Sequence, residues 1–317
     1  MKKILLALLA VAQIAAADNI TINENFASNP AAHGWQSYGD AGLFGWDSTN
    51  HNLAVTWDSS QTNSYYYHPI GTFLTSGDDF TISFDLLLHD ATITSNTFEL
   101  AAGLVNFTNA TSPGFLRGTG YNATNVVEFD YFMDPTFGNS VAATELDSSG
   151  NIADLYDLFG NTSLETNTTY HISISHAAGD QLISSGITVS NQVFTTFPDL
   201  YLQPGFDDFR VDTIAIMSYS DQDAYGGARI LAHGTIANLQ FTATTRPVTK
   251  FKGGFVGSVW QVQFTSRTNW LYTLERSSDL KSWDPASSAT AGTDGTLILQ
   301  DAHPPASGAL YRVHAKQ

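Results

Sequence analysis

Val126-Val-Glu-Phe-Asp-Tyr-Phe-Met-Asp134 alternates its side chains with a period of two. In a strand, residues two apart share a face. Glu128, Asp130 and Phe132 therefore point one way, and Val127, Phe129 and Tyr131 the other. Two carboxylates about 6–7 Å apart on one face repel unless something positive stands between them. A metal, an arginine or a shared proton would each serve. The loop that follows, Asp134-Pro-Thr-Phe-Gly-Asn139, adds oxygen donors. Side chains of Glu128, Asp130, Asp134 and Asn139, with the carbonyl of Phe132, approach the roughly six to eight hard oxygens that calcium prefers. A carboxylate pair on a solvated face is the plainer alternative.

The same alternation recurs outward from this stretch. It is plain in Phe80-Thr-Ile-Ser-Phe-Asp-Leu86, Tyr170-His-Ile-Ser-Ile-Ser175 and Thr213-Ile-Ala-Ile-Met217, and again in Trp260-Gln-Val-Gln-Phe264 and Leu271-Tyr-Thr-Leu-Glu275. Clusters of Asn, Gly, Asp, Ser and Thr separate these runs at short intervals. Helical periodicity is nowhere sustained; Asn151 to Phe159 reads equally as a short helix or a loop. Regular short strands over about 230 residues predict a large antiparallel sandwich, with a smaller one in the last 70 or so.

V-V-E-F-D-Y-F-x-D resembles the metal-binding strand of the legume (L-type) lectins, V-E-F-D-T-F-x-N. Asp79-Phe-Thr-Ile-Ser-Phe-Asp85 is similar to that family's early core strand, and Phe98-Glu-Leu-Ala-Ala-Gly-Leu-Val105 to its A-D-G-L-A-F segment. Gly118-Thr-Gly120 stands where the family has a glycine-rich loop, and Arg229 to Phe241 resembles its closing strand. The resemblance implies an all-β chain: a concanavalin A-like antiparallel β-sandwich (jelly roll) plus a smaller C-terminal β-sandwich. It also implies a calcium ion held by Glu128, Asp130, Asp134, Asn139 and the Phe132 carbonyl. No histidine lies between Asp134 and Tyr170, which leaves a second, transition-metal site without its usual ligand. The family's sugar-binding Asp is Ala102 here, so Asn106, Asn109 or Phe137 would serve a different sugar site. Bacterial beta-glucanases share the jelly roll and carry E-x-D-x-E or E-x-D-x-x-E. Phe132 and Met133 occupy the positions of the second glutamate, so the carboxyl pair of a retaining hydrolase is incomplete.

Composition narrows the function classes. Of 317 residues 43% are hydrophobic, enough for a core, and none is cysteine, which excludes disulfides, thiolate metal sites and cysteine catalysis. The net charge of −17 argues against a nucleic-acid partner, whose phosphates this surface would repel. Charge is unevenly divided. Residues 18–245 hold three basic residues against 25 acidic ones, whereas 246–317 hold eight against five. The sign change at Arg246-Pro247 predicts a domain boundary.

Lys2 and Lys3, the apolar run Ile4 to Ala12 and the small residues Ala15-Ala16-Ala17 read as a signal peptide over residues 1–17, cut before Asp18. No later apolar run reaches the ~18 residues of a membrane span. The expected location is outside the cell, on its surface or in the periplasm. Trp35, Trp46 and Trp57 recur early in the chain, and aromatic faces stack on sugar rings, although most such side chains pack a core. Trp35-Gln-Ser-Tyr38, beside Gly34, is the expected carbohydrate platform. Trp260 to Val313 resembles a small tail module of exported bacterial proteins, and its basicity suits association with an anionic cell surface. The sequence thus points to an exported, calcium-stabilised, lectin-like protein that binds a polysaccharide or glycoconjugate. A structural or adhesive surface protein without a small ligand is the alternative, and a divergent glycoside hydrolase, which Phe132 and Met133 disfavour, is the third reading.

Overall fold

The computed structural model describes residues 18–316, apart from 94–98, 118–121, 134–137, 155–161, 181, 197–199, 202–205, 221–229, 269 and 307. The expected signal peptide therefore lies outside the described residues. The chain forms two compact units, Ile20–Ala243 and, with Asp18 and Asn19, Thr244 to the C-terminus.

The larger unit is a sandwich of two antiparallel sheets. Among the described residues, one sheet has nine strands. Its main path runs Gln192–Thr196, Leu182–Val189, Thr169–His176, Asp79–Ile93, Ile230–Thr245, Asn52–Asp58 and Phe44–Asp47, with Asp18–Glu24 paired to Ile230–Thr245 and Leu200–Tyr201 paired to Leu182–Val189. The other has seven, in the order Ile152–Asp154, Ser140–Leu146, Val126–Phe132, Glu99–Val105, Val211–Ser218, Ser64–Leu74 and Gln36–Tyr38. Neighbours in sequence are often not neighbours in the sheet, so the chain crosses repeatedly between layers, as in a jelly roll. Asn151 to Phe159, read from the sequence as a short helix or a loop, begins instead with the strand Ile152–Asp154, paired with Ser140–Leu146, and its remainder from 155 lies outside the described residues.

Alternation explains which side of each strand is buried. In Asp79–Ile93, Phe80, Ile82, Phe84, Leu86 and Leu88 face the core while the residues between them reach solvent. Ile230–Thr245 keeps its phase to Ile236 and resumes it from Leu239, with Ala237 and Asn238 both turned outward. Asn238 sits at φ 48°, a left-handed conformation that Asn tolerates, and the extra residue lets the strand continue with its apolar side inward. The layers meet where Phe84 packs edge-on against Phe129, centroids 6.1 Å apart, and where Phe44 packs against Tyr66 at 5.8 Å.

The seven-stranded sheet departs from this one-sided pattern. Val126–Val127–Glu128–Phe129–Asp130–Tyr131 are all buried, as is every residue of Ser140–Leu146. Its outer face is therefore covered in the centre, and cover comes from the segment 106–125, described over 106–117 and 122–125. That segment opens with a single helical turn, Phe107–Ala110, capped by Asn106, and it brings Ala110, Phe115, Arg117 and Ala123 into buried positions. Tyr65 donates to the Ala110 carbonyl (2.9 Å), Asn63 to that of Phe115 (3.0 Å) and Phe107 N–H to Asp212 (2.9 Å), which ties the segment down.

The smaller unit is also all-β. Thr249–Val256, Val259–Thr265 and Thr296–Asp301 form one sheet. Leu271–Ser277 pairs with Asp284–Pro285, Thr290–Ala291 and Leu310–Lys316 in a second. Its core is Trp260, Val262, Phe264, Trp270, Tyr272, Leu274, Leu299, Tyr311, Val313 and Ala315. The Tyr272 hydroxyl donates to the Pro247 carbonyl and accepts from Arg267 N–H, fixing the entry to this unit.

Candidate functional site

Register places the site residues. Across the seven-stranded sheet, Tyr38, Tyr65, Met217, Ala101, Asp130 and Ala142 form one row of directly opposed residues. Gln36, Tyr67, Ala215, Gly103, Glu128 and Thr144 form the next row on the same side. Phe129 and Tyr66 lie in the intervening row and face the core, so these two rows face outward, beneath the segment 106–125. Gly103 is required here. A Cβ on it would lie 2.3 Å from the Val127 carbonyl oxygen and 2.5 Å from Glu128 Cα.

Glu128 and Asp130 are side by side on this outer face, as their spacing predicts, but neither reaches solvent. Arg117 stands between them. Its Nε donates to Glu128 Oε1 at 2.5 Å and its Nη2 to Asp130 Oδ2 at 2.8 Å. Tyr219 donates to the second Glu128 oxygen at 2.6 Å, so both oxygens of that carboxyl are engaged. Asp130 Oδ1 and the neighbouring Thr144 hydroxyl complete no well-aligned hydrogen bond. Burial pushes the Glu128 carboxyl well above its ordinary range. Repulsion from Asp130 adds to the rise, and Arg117 and Tyr219 oppose it. Burial also raises Asp130, against the pull of Arg117. One guanidinium cannot neutralise two carboxylates, and the cluster balances its charge by keeping a proton near neutral pH. Of the three positive groups that the spacing allowed, the structure supplies an arginine, and the raised Glu128 pKa favours a retained proton beside it.

The expected calcium ligands do not fit the ion at this place. The position between the two carboxyls is taken by a guanidinium, and a divalent cation beside it would face like charge at contact distance. Asn139 is turned to Ser163, its amide donating to the Ser163 hydroxyl at 3.1 Å. Phe132 continues the strand and pairs in register with Glu99 and Ser140. Asp134 lies outside the described residues. Among the described residues no group of three or more His, Asp or Glu side chains is placed to hold a metal.

The expected carbohydrate residues separate sharply. Trp35 is only 2% exposed and belongs to the core, stacked on Tyr66 with centroids 5.3 Å apart and close to Phe26. Gly34 does mark a loop, since it caps the short 3-10 turn Pro30–His33 at φ 98°. The chain reverses there, however, and enters the sheet edge with Trp35 on the core side. Trp57 is likewise core, while Trp46 is partly exposed and donates to the Phe26 carbonyl. Asn106 is buried and fully used: its Oδ1 accepts from Asn109 N–H and its amide donates to the Arg210 carbonyl. Phe137 lies outside the described residues. Ala102 faces the core, opposite Phe129.

Among the described residues of that set, Tyr38 alone presents a ring to solvent, 38% exposed. It stacks on Tyr65 (5.7 Å) and meets Phe107 edge-on (5.9 Å), while Tyr67 stacks on Phe107 at 4.2 Å. Tyr67 and Phe107 are half-buried, and exposed Gln36 accepts a hydrogen bond from the Tyr67 hydroxyl at 3.1 Å. The result is a ledge of aromatic rings with an amide at its rim, where the sheet runs out from under the segment 106–125. The sequence carried a trace of it in Tyr65-Tyr-Tyr67, but Phe107 gave no signal.

No protein-family profile matches the chain, and neither does any curated protein sequence. Solved structures do show similar folds. A sialidase is 14% identical, with 70% of this chain covering only 18% of that one at a TM-score of 0.41. An alginate lyase in complex with alginate trisaccharide is 11% identical over 72% of this chain and 98% of that one, at 0.40. Peanut lectin is 15% identical over 72% of this chain and 98% of that one, at 0.45. These likenesses are of fold alone, and the strands of the larger unit themselves form a sandwich of two antiparallel sheets.

Proposed function

We propose that the larger unit is a carbohydrate-binding, lectin-like module whose ligand, a polysaccharide or glycoconjugate, lies against the ledge of Tyr38, Tyr67 and Phe107. The observation that carries this reading is an exposed tyrosine ring pre-packed on two further aromatics. The apolar face of a pyranose stacks on such a surface, and its hydroxyls reach the Gln36 amide and the tyrosine hydroxyls at the rim. The rings are already held by their neighbours, so little side-chain freedom is lost on binding. Calcium at Glu128 and Asp130 has no part in this reading.

The test is a polysaccharide panel probed with the full chain from Asp18 and with Tyr38→Ala. Binding to at least one glycan, weakened about tenfold or more in the variant while the fold is kept, supports the site. Failure to bind any glycan sinks the reading. It would favour the second one, a structural or adhesive surface protein, which Ala102 supports: the position of the family's sugar acceptor holds a methyl group turned into the core.

Export is part of the proposal and rests on the leader Met1–Ala17. A chain produced with that leader in a bacterial host should leave the cytoplasm with Asp18 as its first residue, and retention of Met1 would argue against it. Among the described residues no helix is long and apolar enough to cross a membrane. The smaller unit, with its excess of basic side chains, is proposed to associate with an anionic cell surface.

A further inference from the structure

We infer that Arg117 takes the place of a structural cation, so that the segment over the outer face is fastened by a guanidinium and its closure needs no calcium. Three observations converge on this. First, Arg117 bonds to Glu128 and Asp130 from two different nitrogens, 2.5 and 2.8 Å away, so one planar group spans both carboxyls as a bridging ion would. Second, all three side chains are buried, Arg117 at 7% exposure and both carboxyls at none, so the contact is not a screened surface pair. Third, Arg117 lies in the covering segment and the carboxyls lie in the sheet. The bridge therefore joins cover to sheet, which is the service a metal performs when it gathers ligands from a strand and a loop.

Chemistry favours the arginine for this task. A guanidinium is charged at every accessible pH, is weakly hydrated and carries donors in a rigid plane. A calcium ion would have to exchange several waters for six or more oxygens, and its occupancy would vary with supply. A covalently carried cation also has no dissociation constant and cannot be stripped by a chelator. The neutralising proton and the Tyr219 hydroxyl complete the cluster without a second cation.

The decisive experiment compares melting midpoints of the full chain from Asp18 in excess EDTA and in millimolar calcium. Three variants accompany it: Arg117→Met, Glu128→Gln with Asp130→Asn, and all three changes together. The wild-type midpoint should be the same in both buffers. Arg117→Met should lose much of its stability or fail to fold, because it strands two buried carboxyls. The triple variant, which removes charge from both sides, should regain a cooperative transition. A calcium-dependent rise in the wild type that vanishes in Glu128→Gln/Asp130→Asn would overturn the inference, as would an Arg117→Met protein as stable in EDTA as the wild type. A calcium effect that persists in the double variant arises elsewhere in the chain. The proposal then stands or falls on the recovery of the triple variant over Arg117→Met.

Discussion

Glu145 faces the inner side of the seven-stranded sheet, directly opposite Val127, and neither of its carboxyl oxygens has a hydrogen-bond partner. Burial pushes its pKa up to about 9, and the nearby Asp208 and Asp147 carboxylates add to the rise. The sign of the consequence follows from linkage. Unfolded, this group ionises at its ordinary value of 4.5; folded, it holds its proton to about 9. Between those values the folded protein binds a proton that the unfolded chain has released, so stability falls as pH rises, by on the order of 1 kcal/mol per pH unit. Asp147 acts in the opposite sense. Its burial is outweighed by hydrogen bonds from Asp207, Asn151 and Ser149, which lower its pKa, so its contribution is lost in acid. Glu145→Gln should therefore melt higher than the wild type at pH 8 and no higher at pH 4. Parallel profiles for the two proteins would refute this account. Nothing in the alternation of Val141 to Leu146 announces a buried acid, because a glutamate on a strand ordinarily signals the solvent face.

At the scale of the element, the segment 106–125 decides what the outer face can do. It buries the carboxyl pair at one end and supplies Phe107 to the ledge at the other. Asn106 sets its course by capping the single helical turn and holding the Arg210 carbonyl. Asn106→Ala should cost about 1–2 kcal/mol in a urea titration and should weaken binding at the ledge as Phe107 loosens. A loss below a few tenths of a kcal/mol would show that the remaining bonds to Asn63, Tyr65 and Asp212 suffice. Here the limits of the sequence are physical. Glu128 and Asp130 were readable as a pair needing a positive neighbour, because period-two spacing fixes a common face. The identity of that neighbour was not readable, since Arg117 arrives from a loop with no periodic pattern. Trp35 misled for a related reason. Gly34 correctly marks a reversal, but which side the next residue takes depends on the register of Gln36 with Tyr67, a contact between strands far apart in sequence. Strand alternation, by contrast, is local, which is why runs such as Phe80–Leu86 and Tyr170–Ser175 were legible as half-buried strands, and their recurrence along the chain as a sandwich.

At the scale of the whole molecule, charge is the property that the fold does not neutralise. Residues 18–245 carry 25 acidic side chains and three basic ones, and one of those three, Arg117, is enclosed with two of the acids. The other two cations of the stretch, Arg210 and Arg229, are too few to offset the remaining carboxylates. Folding concentrates these charges on one compact body, so self-repulsion opposes the compact state more than the expanded one. Salt shortens the range of that repulsion to about 10 Å at 0.1 M, less than the width of the sandwich. It leaves the buried Arg117 cluster largely unscreened, because no electrolyte enters there. The two effects add. The melting midpoint of the full chain at pH 7 should rise by a few degrees between low ionic strength and about 0.2 M sodium chloride, with potassium chloride equivalent. A midpoint that fell with salt would mean that exposed ion pairs such as His171–Asp85 and His233–Asp90 outweigh the general repulsion. That outcome is disfavoured because each histidine is near half exposed, where an ion pair is weak and itself screened by salt.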